Sequence, residues 1–348
     1  MSLITRLAVA ASIAFRLTGA LTYHGADFSS LINLEKSGQT YNDGGSTQGF
    51  EKILASHGAN LARIRIWTSD SYDQYSLTYG LDLAKRASAA GMSIMVDLHY
   101  SDTWADPGKQ ATPSSWPSDL DGLNTRIYEY TKDVVSQFSK QGTPADFIQI
   151  GNEINPGMLF PTGQISKNGY GGLSQLLHSA ASGVRDGSSS TKIVVHLANG
   201  WDKSAVSNWY SKVLDFQGAF TTDDVDVMGF SFYPFYNTGA TLANLRSSLS
   251  SIHSTYGKPV MVVETDWPSQ CSGVSMSEPS IPISVAGQES WVASIREVLA
   301  DVGGTGIIYW EPGWIGNAGL GSACADNLLV DWNTNAAKDS IDLFADSM

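Results

Sequence analysis

Phe147-Ile-Gln-Ile-Gly-Asn-Glu-Ile-Asn155 has the form of a short buried strand that ends in an acid. Four residues with strand character lead into Gly151, and the carboxylate of Glu153 follows where an apolar run should be ending. A buried parallel strand prefers apolar or β-branched residues, so an acid at its C-terminal end must be paired, hydrated or used in chemistry. Glu153 is therefore a candidate functional residue.

On either side of this stretch, short strand-like runs alternate with amphipathic helical runs, which gives eight βα units. Eight units favour a closed barrel over an open doubly wound sheet, and the first strand is not followed by a glycine-rich phosphate-binding loop. We predict a single (β/α)8 TIM barrel over residues 21–348, with an active-site cleft at the C-terminal face of the strands. The predicted strands are Tyr23 to Phe28, Asn60 to Trp67, Ser93 to Tyr100, Phe147 to Asn152, Lys192 to Ala198, Val227 to Phe232, Pro259 to Glu264 and Gly306 to Glu311.

The first 20 residues have the pattern of a secretory signal peptide, with a basic start at Arg6, an apolar run from Leu7 to Phe15, and small residues at Gly19 and Ala20. The apolar run is too short to span a bilayer. We predict cleavage after Gly19 or Ala20 and a secreted, extracellular protein. The alternative is a buried N-terminal helix.

The net charge of the chain excludes some classes of binding partner. Without the signal peptide, 19 basic and 34 acidic residues leave a formal charge of −15. Such a field repels nucleic acids and other polyanions, so a neutral substrate is expected. We expect no nucleic-acid partner, no membrane association and a monomer.

The two cysteines, Cys271 and Cys324, enclose about 50 residues. In an oxidising compartment they can pair, which would stabilise the fold by about 4 kcal/mol in the chain-entropy model. The alternative is two buried free thiols.

Two acids terminate strongly apolar runs, Glu153 directly after the fourth predicted strand and Glu264 at the end of the seventh. These strands lie across the barrel axis from each other, so the two carboxyl groups can face each other over a cleft. Retaining glycosidases use two carboxyl groups about 5 to 5.5 Å apart, one as nucleophile and one as acid and then base. Structural ion pairs with Arg63 or Arg65 are the alternative.

Other polar and aromatic side chains gather at the predicted strand ends. Asn152 can bind a sugar 2-hydroxyl, and Arg65 with Tyr233 can keep Glu264 ionised and oriented. Both arginines also fit a structural role, and the histidines also fit satisfied core positions. Tryptophan rings in the loops suit the apolar faces of sugars. The predicted substrate-binding residues are Asp27, Arg65, His99, Asn152, His196, Tyr233, Trp267 and Trp310.

No metal or cofactor is predicted. Asp97, His99, Asp102 and Asp106 form a cluster of possible ligands, but it lacks the paired-histidine spacing of catalytic zinc sites. A Gly-X-Ser-X-Gly nucleophile motif is also absent from the sequence.

Several longer motifs resemble the endo-β-1,4-galactanases of glycoside hydrolase family 53, above all the secreted fungal enzymes. They are His24-Gly-Ala-Asp-Phe-Ser-Ser, Ala62-Arg-Ile-Arg-Ile-Trp, Met95-Val-Asp-Leu-His-Tyr-Ser-Asp-Thr-Trp-Ala-Asp-Pro, Gln149-Ile-Gly-Asn-Glu-Ile-Asn, Val263-Glu-Thr-Asp-Trp-Pro and Tyr309-Trp-Glu-Pro-Gly-Trp.

The resemblance implies a polysaccharide substrate, the β-1,4-galactan side chains of type I arabinogalactan and pectin, cut internally with retention. It implies Glu153 as acid/base and Glu264 as nucleophile. It also implies a disulfide between Cys271 and Cys324, in the loops that a calcium ion ties together in bacterial members. Two alternatives remain, a related endoglycanase acting on xylan, mannan or cellulose and a non-catalytic glycan-binding barrel.

Overall fold

The computed structural model describes residues 21–316 and 324–345. Its strands, in chain order, are β1 (Tyr23–Asp27), β2 (Tyr41–Asp43), β3 (Ser46–Gln48), β4 (Leu61–Ile66), β5 (Ser93–Leu98), β6 (Phe147–Ile150), β7 (Lys192–Leu197), β8 (Val227–Ser231), β9 (Val260–Thr265), β10 (Gln270–Cys271), β11 (Gly304–Trp310) and β12 (Cys324–Asp326).

Eight of these strands are parallel and close into a barrel in the order β1-β4-β5-β6-β7-β8-β9-β11, with β11 returning to β1. The predicted barrel is confirmed, and each predicted strand overlaps one barrel strand. Strands β2 and β3 form a separate antiparallel pair, as do β10 and β12. The predicted signal peptide lies outside the described residues.

The helices cover the outside of the barrel. They are α1 (Leu31–Lys36), α2 (Phe50–Ser56), α3 (Leu77–Ala89), α4 (Leu120–Lys140), α5 (Ile165–Asn168), α6 (Tyr170–Gly187), α7 (Lys203–Val213), α8 (Leu242–Tyr256) and α9 (Val285–Asp301), with short 3-10 helices at Tyr72–Gln74, Thr222–Asp224 and Asp339–Phe344.

Local sequence sets the ends of several helices. The Asp119 side chain caps α4 by accepting a hydrogen bond from the backbone N–H of Gly122 at 2.8 Å. Thr241 caps the start of α8 in the same way, and Gly257 ends that helix at a φ of 67°. Among the described residues no helix is long and apolar enough to cross a membrane.

The barrel interior has two chemically different layers. Its lower layer is apolar and is formed by Leu61, Met95, Phe147, Val194, Val227, Met261, Val263 and Ile308. Side chains two residues further along a strand point to the same side, and there the interior becomes polar, at Arg63, Asp97, Gln149 and His196. The apolar layer fills the barrel from below, so the polar groups are concentrated at the C-terminal end of the strands.

Candidate active site

Two acids face each other at the C-terminal end of the barrel. Glu153 follows β6 and Glu264 lies in β9, and a carboxylate oxygen of each lies within 4.8 Å of the other. This distance fits the close carboxyl pair of retaining glycosidases, whereas inverting enzymes separate the two groups by about 6.5 to 9.5 Å.

The backbone turns sharply to present Glu153. Gly151 has a φ of 99° and Glu153 itself has a φ of 49°, in the left-handed region that few non-glycine residues adopt. Ser231, at the end of β8, donates a hydrogen bond of 2.6 Å to Oε1 of Glu153. The Glu153 side chain is half-buried, and the hydrogen bond from Ser231 holds it in a fixed position at the cleft.

An irregularity in β9 turns Glu264 toward the cleft. Met261 and Val263 both point into the barrel, so strict alternation would place Glu264 on the outside. The pairing with β8 shifts, however, since Phe230 is opposite Val262 while the next residue, Ser231, is opposite Glu264. This extra residue in β9 has the form of a β-bulge, and it brings the acid to the inner face.

Glu264 is held by an arginine and a tyrosine. Nη2 of Arg63 lies 2.9 Å from its Oε1, and the Tyr233 hydroxyl donates to its Oε2 at 3.0 Å. Arg63 also donates to Asp27 at 2.8 Å, to Asp97 at 3.0 Å and to Asn152 at 2.9 Å. One buried guanidinium therefore fixes the nucleophile candidate and the amide beside Glu153 in a single network.

The surroundings give the two acids different pKa values. Burial raises the pKa of Glu153, and the nearby charge of Glu264 raises it further. Burial also raises the pKa of Glu264, to about 7, because the lowering by the Arg63 cation and the Tyr233 hydroxyl offsets only part of the effect of burial and of the Asp97 and Asp27 carboxylates. Two close carboxyl groups cannot both ionise easily, so Glu153 is the one that keeps its proton to higher pH.

A chain of hydrogen bonds leads from Glu153 into the barrel. Ring nitrogen Nε2 of His196 lies 2.7 Å from the Ser231 hydroxyl, and Nδ1 lies 2.9 Å from Oδ1 of Asn152. Burial lowers the pKa of His196 well below its usual value, and the Arg63 cation adds to this effect. The neutral imidazole thus connects the partner of Glu153 with the amide next to it.

A second arginine supports an aromatic wall. Arg65 pairs with Glu311 at 3.0 Å, and its guanidinium carbon lies 4.1 Å from the ring centre of Trp104 and 4.4 Å from that of Tyr75. The Trp104 ring stacks on Trp314, with 6.0 Å between centroids and 14° between planes. Cation–π contacts and ring stacking hold the wall flat, which suits the apolar face of a sugar.

The acids and the wall border one cleft with a volume of about 810 Å³. This volume falls in the range of sites that bind drug-sized ligands. Residues lining it include Arg65, His99, Trp104, Asn152, Glu153, Asn199, Ser231, Tyr233, Tyr236, Glu264, Trp310 and Trp314.

Residues 23–344 match the family described as glycosyl hydrolase family 53. This chain belongs to that family. The protein is 51% identical over 337 residues to arabinogalactan endo-beta-1,4-galactanase A of Emericella nidulans, covering 94% of this chain and 95% of the relative. The resemblance seen in the sequence motifs is therefore confirmed, and the protein is a glycoside hydrolase.

Solved structures agree with this family 53 assignment. A structure of a fungal beta-1,4-galactanase is 43% identical and superposes with a TM-score of 0.90, over 93% of this chain and 99% of the other. The family 53 catalytic domain of Ignisphaera aggregans is 27% identical with a TM-score of 0.81, over 96% and 97% of the two chains.

Five of the eight predicted substrate-binding residues line the cleft of this family 53 hydrolase. They are Arg65, His99, Asn152, Tyr233 and Trp310. Their contacts with substrate stay predictions. One predicted detail is wrong, since Arg63 and not Arg65 holds Glu264, while Arg65 pairs with Glu311.

The other three predicted substrate-binding residues are buried and do not line the cleft. Asp27 is an ion-pair partner of Arg63, at 2.8 Å, and His196 lies beneath Ser231 and Asn152. Trp267 has no exposed surface, packs on Trp291 at 5.0 Å between centroids and donates its ring N–H to the Pro282 carbonyl. None of the three lines the cleft, and their predicted contacts with substrate stay predictions.

Sequence reasoning missed several members of the site, among them Ser231 and Gln149. Ser231 is the hydrogen-bond partner of Glu153, and Gln149 lies between Arg63, Asp97 and His196. Gln149 is a polar residue inside an otherwise apolar strand, and that signal was available in the sequence. Ser231 gave no such signal, since a serine at a strand end is common.

Three possible metal ligands lie close together among the described residues. Glu153, His196 and Glu264 offer ligand atoms within 4.8 Å of one another. However, both ring nitrogens of His196 already have partners among Ser231, Asn152 and Gln149. The arrangement fits two acids that are each held by hydrogen bonds from neighbouring side chains. The expectation of no metal and no cofactor stays a prediction.

A disulfide joins the two loops that follow β9 and β11. Cys271 is bonded to Cys324, and their strands β10 and β12 pair antiparallel. The predicted pairing is confirmed. Beside it, the nearly buried ammonium group of Lys338 lies 2.7 Å from Oδ2 of Asp326, 2.8 Å from the Leu328 carbonyl and 3.0 Å from the Ser269 hydroxyl.

Proposed function

We propose that this family 53 hydrolase cleaves internal β-1,4-galactosidic bonds in the galactan side chains of type I arabinogalactan and pectin, with retention of anomeric configuration. The observation that carries the proposal is the carboxyl pair, with oxygens within 4.8 Å, at the C-terminal end of a family 53 barrel. The named activity of relatives such as the Emericella nidulans enzyme supports the choice of substrate.

In the first step, Glu264 attacks the anomeric carbon while Glu153 gives its proton to the glycosidic oxygen. The bond between the anomeric carbon and that oxygen breaks, and the leaving sugar departs with a new hydroxyl. The product on the enzyme is an ester between the sugar and Glu264. Glu153 suits the acid role because burial and its negative neighbour keep it protonated.

In the second step, Glu153 is ionised and removes a proton from water as the water oxygen attacks the anomeric carbon. The bond to Glu264 breaks, and the carboxylate returns to its ion pair with Arg63 at 2.9 Å. Two inversions at one carbon restore the original configuration. Arg63 and Tyr233 stabilise Glu264 as a leaving group in this step, since both favour its charged form.

Substrate recognition is assigned to the cleft surface. The aromatic wall of Trp104, Trp310 and Trp314 offers flat rings to sugar faces, and His99 and Asn152 offer polar atoms to hydroxyl groups. A neutral galactan also matches the acidic composition of the chain. We further propose that residues 1–20 direct secretion and that the mature enzyme acts outside the cell as a single catalytic domain and a monomer.

The experiment measures reducing ends released from linear β-1,4-galactan, xylan, mannan and cellulose under the same conditions. We expect release from galactan, and activity confined to one of the other polymers would refute the substrate assignment. Proton NMR of the first product formed tests retention, because the β-anomer must appear before it mutarotates.

Two variants test the roles of the acids. Glu264→Ala should lower kcat by several orders of magnitude, since it removes the covalent route, while galactan binding persists. Glu153→Gln should remove the alkaline limb of the pH profile. A Glu264→Ala enzyme with near-native turnover, or an unchanged alkaline limb in Glu153→Gln, would show that the roles are assigned wrongly.

A further inference from the structure

The C-terminal 3-10 helix, Asp339–Phe344, packs against the end of the barrel opposite to the cleft. Its side chains Ile341, Leu343 and Phe344 are buried. Gly58, in the turn that leads from α2 to the start of β4, allows this close packing. It has a φ of 100° and no side chain, and a Cβ at this position would lie 2.8 Å from the Phe344 carbonyl oxygen.

His57, next to this glycine, lies between two carboxylates from different elements. Its Nδ1 is 2.5 Å from Oδ1 of Asp342 in the C-terminal 3-10 helix, and its Nε2 is 3.2 Å from Oδ2 of Asp43 in β2. An ionised carboxylate only accepts hydrogen bonds, whereas a neutral imidazole has one N–H to donate. Both contacts are therefore satisfied together only when the His57 ring carries two protons.

A second histidine contacts the same helix. His24, near the start of β1, is buried, with Nδ1 at 2.7 Å from the Phe344 carbonyl oxygen and Nε2 at 3.1 Å from the Leu21 carbonyl oxygen. Carbonyl oxygens also only accept, so a ring with one N–H leaves one of these two oxygens without a donor from His24. The hydrogen-bonding pattern thus favours the doubly protonated ring at this position too.

Acidic groups surround His57 on its own and neighbouring elements. Burial lowers the pKa of His57, but the hydrogen bonds and charges of Asp342 and Asp43 outweigh burial and raise it above its ordinary value of 6.5. Burial raises the pKa of Glu289 on α9, and the charges of Asp339 and Asp342 raise it further. Loss of the His57 charge therefore leaves carboxylates that repel one another around the C-terminal 3-10 helix.

Two other cations lie at the ends of this segment. Arg296 of α9 donates to the Ala345 carbonyl at 2.8 Å, and a guanidinium keeps its proton at every pH of interest. Lys338, just before the C-terminal 3-10 helix, pairs with Asp326 at 2.7 Å. The contacts that respond to pH near neutrality are therefore those of the histidines.

We infer that His57 and His24 form an acid-dependent clasp, which holds the C-terminal 3-10 helix on the closed end of the barrel and weakens as the pH rises. Neither histidine lines the cleft, so the inference does not depend on the proposed function. The pKa of His57 is raised in the folded protein, so its stabilising contribution is complete below pH 6.5 and is lost as the pH rises through the folded-state pKa. The apolar contacts of Ile341, Leu343 and Phe344 remain, so the expected change is local opening of the helix.

Hydrogen–deuterium exchange of the full protein, read by mass spectrometry on peptides that cover residues 339–345, tests the clasp between about pH 5 and pH 9. After correction for the intrinsic exchange rate, the opening constant should be nearly constant below pH 6.5. Above that pH it should rise, by up to about tenfold per pH unit for each histidine that loses its proton. In His57→Gln, which is neutral throughout, opening should already be increased at about pH 5, and the rise should be smaller than in the parent protein.

Two further variants make the result specific. Asp342→Asn changes a side chain that is 63% exposed and removes the charge but keeps an acceptor oxygen, so the rise should begin at lower pH. His178→Gln is the matched control, because His178 lies on α6, is 45% exposed and pairs with Asp224 at 3.0 Å, and it should leave exchange of residues 339–345 unchanged. The inference is overturned if His57→Gln and Asp342→Asn both retain the parent's pH dependence, or if His178→Gln alters it equally.

Discussion

Removing the Tyr233 hydroxyl should move one limb of the pH profile and leave the other in place. In the Tyr233→Phe variant, Oε2 of Glu264 loses the donor that lies 3.0 Å away. A hydroxyl that donates to a carboxylate stabilises its charged form, so it lowers the pKa of Glu264. Its loss must raise that pKa, and the acidic limb must move to higher pH.

The size of the shift follows from the contacts of Glu264. A hydrogen bond to a charged group contributes about 1.5 to 3 kcal/mol, and one pKa unit corresponds to about 1.4 kcal/mol. Arg63 remains at 2.9 Å from the other oxygen, so Glu264 keeps its main counter-charge. We expect the acidic limb to rise by about one to two pH units.

The assay is kcat/KM for galactan across the pH range, because this quantity reports the free enzyme. The alkaline limb belongs to Glu153 in the proposed roles, and it should stay within the error of the measurement. Tyr100→Phe is a matched control, since its buried hydroxyl contacts Thr131 at 2.7 Å and neither catalytic acid. An unmoved acidic limb would refute the role of Tyr233, and a shift of the alkaline limb alone would indicate that the acids are exchanged.

Three further predictions concern stability. Replacing Cys271 and Cys324 together by serine should lower the free energy of unfolding by about 4 kcal/mol, since the cysteines are 53 residues apart, and urea denaturation of the purified variant measures this loss. Lys338→Met should lower the free energy of unfolding by about 3 kcal/mol in the same assay, because it leaves the buried carboxylate of Asp326 without its cation. Lys85→Met is the control and should lower it by almost nothing, since the Lys85 side chain is 58% exposed. Equal losses of stability in the two variants would contradict the argument. The pKa of Glu153 is raised in the folded protein above its ordinary value of 4.5, so protonated Glu153 stabilises the fold fully below pH 4.5 and progressively less as the pH rises toward the folded-state pKa. Tm should therefore fall with pH between these two values. If the slope of Tm against pH were the same in Glu153→Gln, Glu153 would be excluded as its source.

The barrel was predictable because its signals are local and repeated. Strands such as Val260–Thr265 begin with an unbroken apolar run, Val260 to Val263, as expected for strands covered on both faces. Helix caps such as Asp119 and Gly257 mark the boundaries between units. Eight such units leave few alternatives to a closed barrel.

Which face of a strand an individual side chain occupies was harder to predict from the sequence. Simple alternation places Glu264 on the side opposite to Val263, and only the register shift in β9 brings both to the interior. A bulge of this kind depends on the pairing between strands, which a single strand does not encode. Glu264 was found because an acid ends an apolar run, and its geometry came from the sheet.

The depth at which a side chain lies within the barrel could not be predicted from the sequence either. Arg63 and Arg65 lie two residues apart on one strand, so they share a face and differ by about 7 Å along it. That difference sends Arg63 to Glu264 and Arg65 to Glu311. His196 shows the same limit, since a histidine near a strand end gives no indication of whether it borders the cleft or lies beneath it.

The crowding of acids at the barrel mouth makes substrate binding a proton-linked event. Besides Glu153, the carboxyl groups of Asp27, Asp97, Glu264, Asp266 and Glu311 share the described site with the two arginines Arg63 and Arg65. A neutral sugar that displaces water from the cleft makes the charged form of Glu153 still less favourable. Above the pH at which Glu153 begins to ionise, binding must therefore draw protons from the buffer. Calorimetric heats of binding to the inactive Glu264→Ala enzyme will depend on the ionisation enthalpy of the buffer, and the enzyme's affinity for a substrate without charge will still vary with pH.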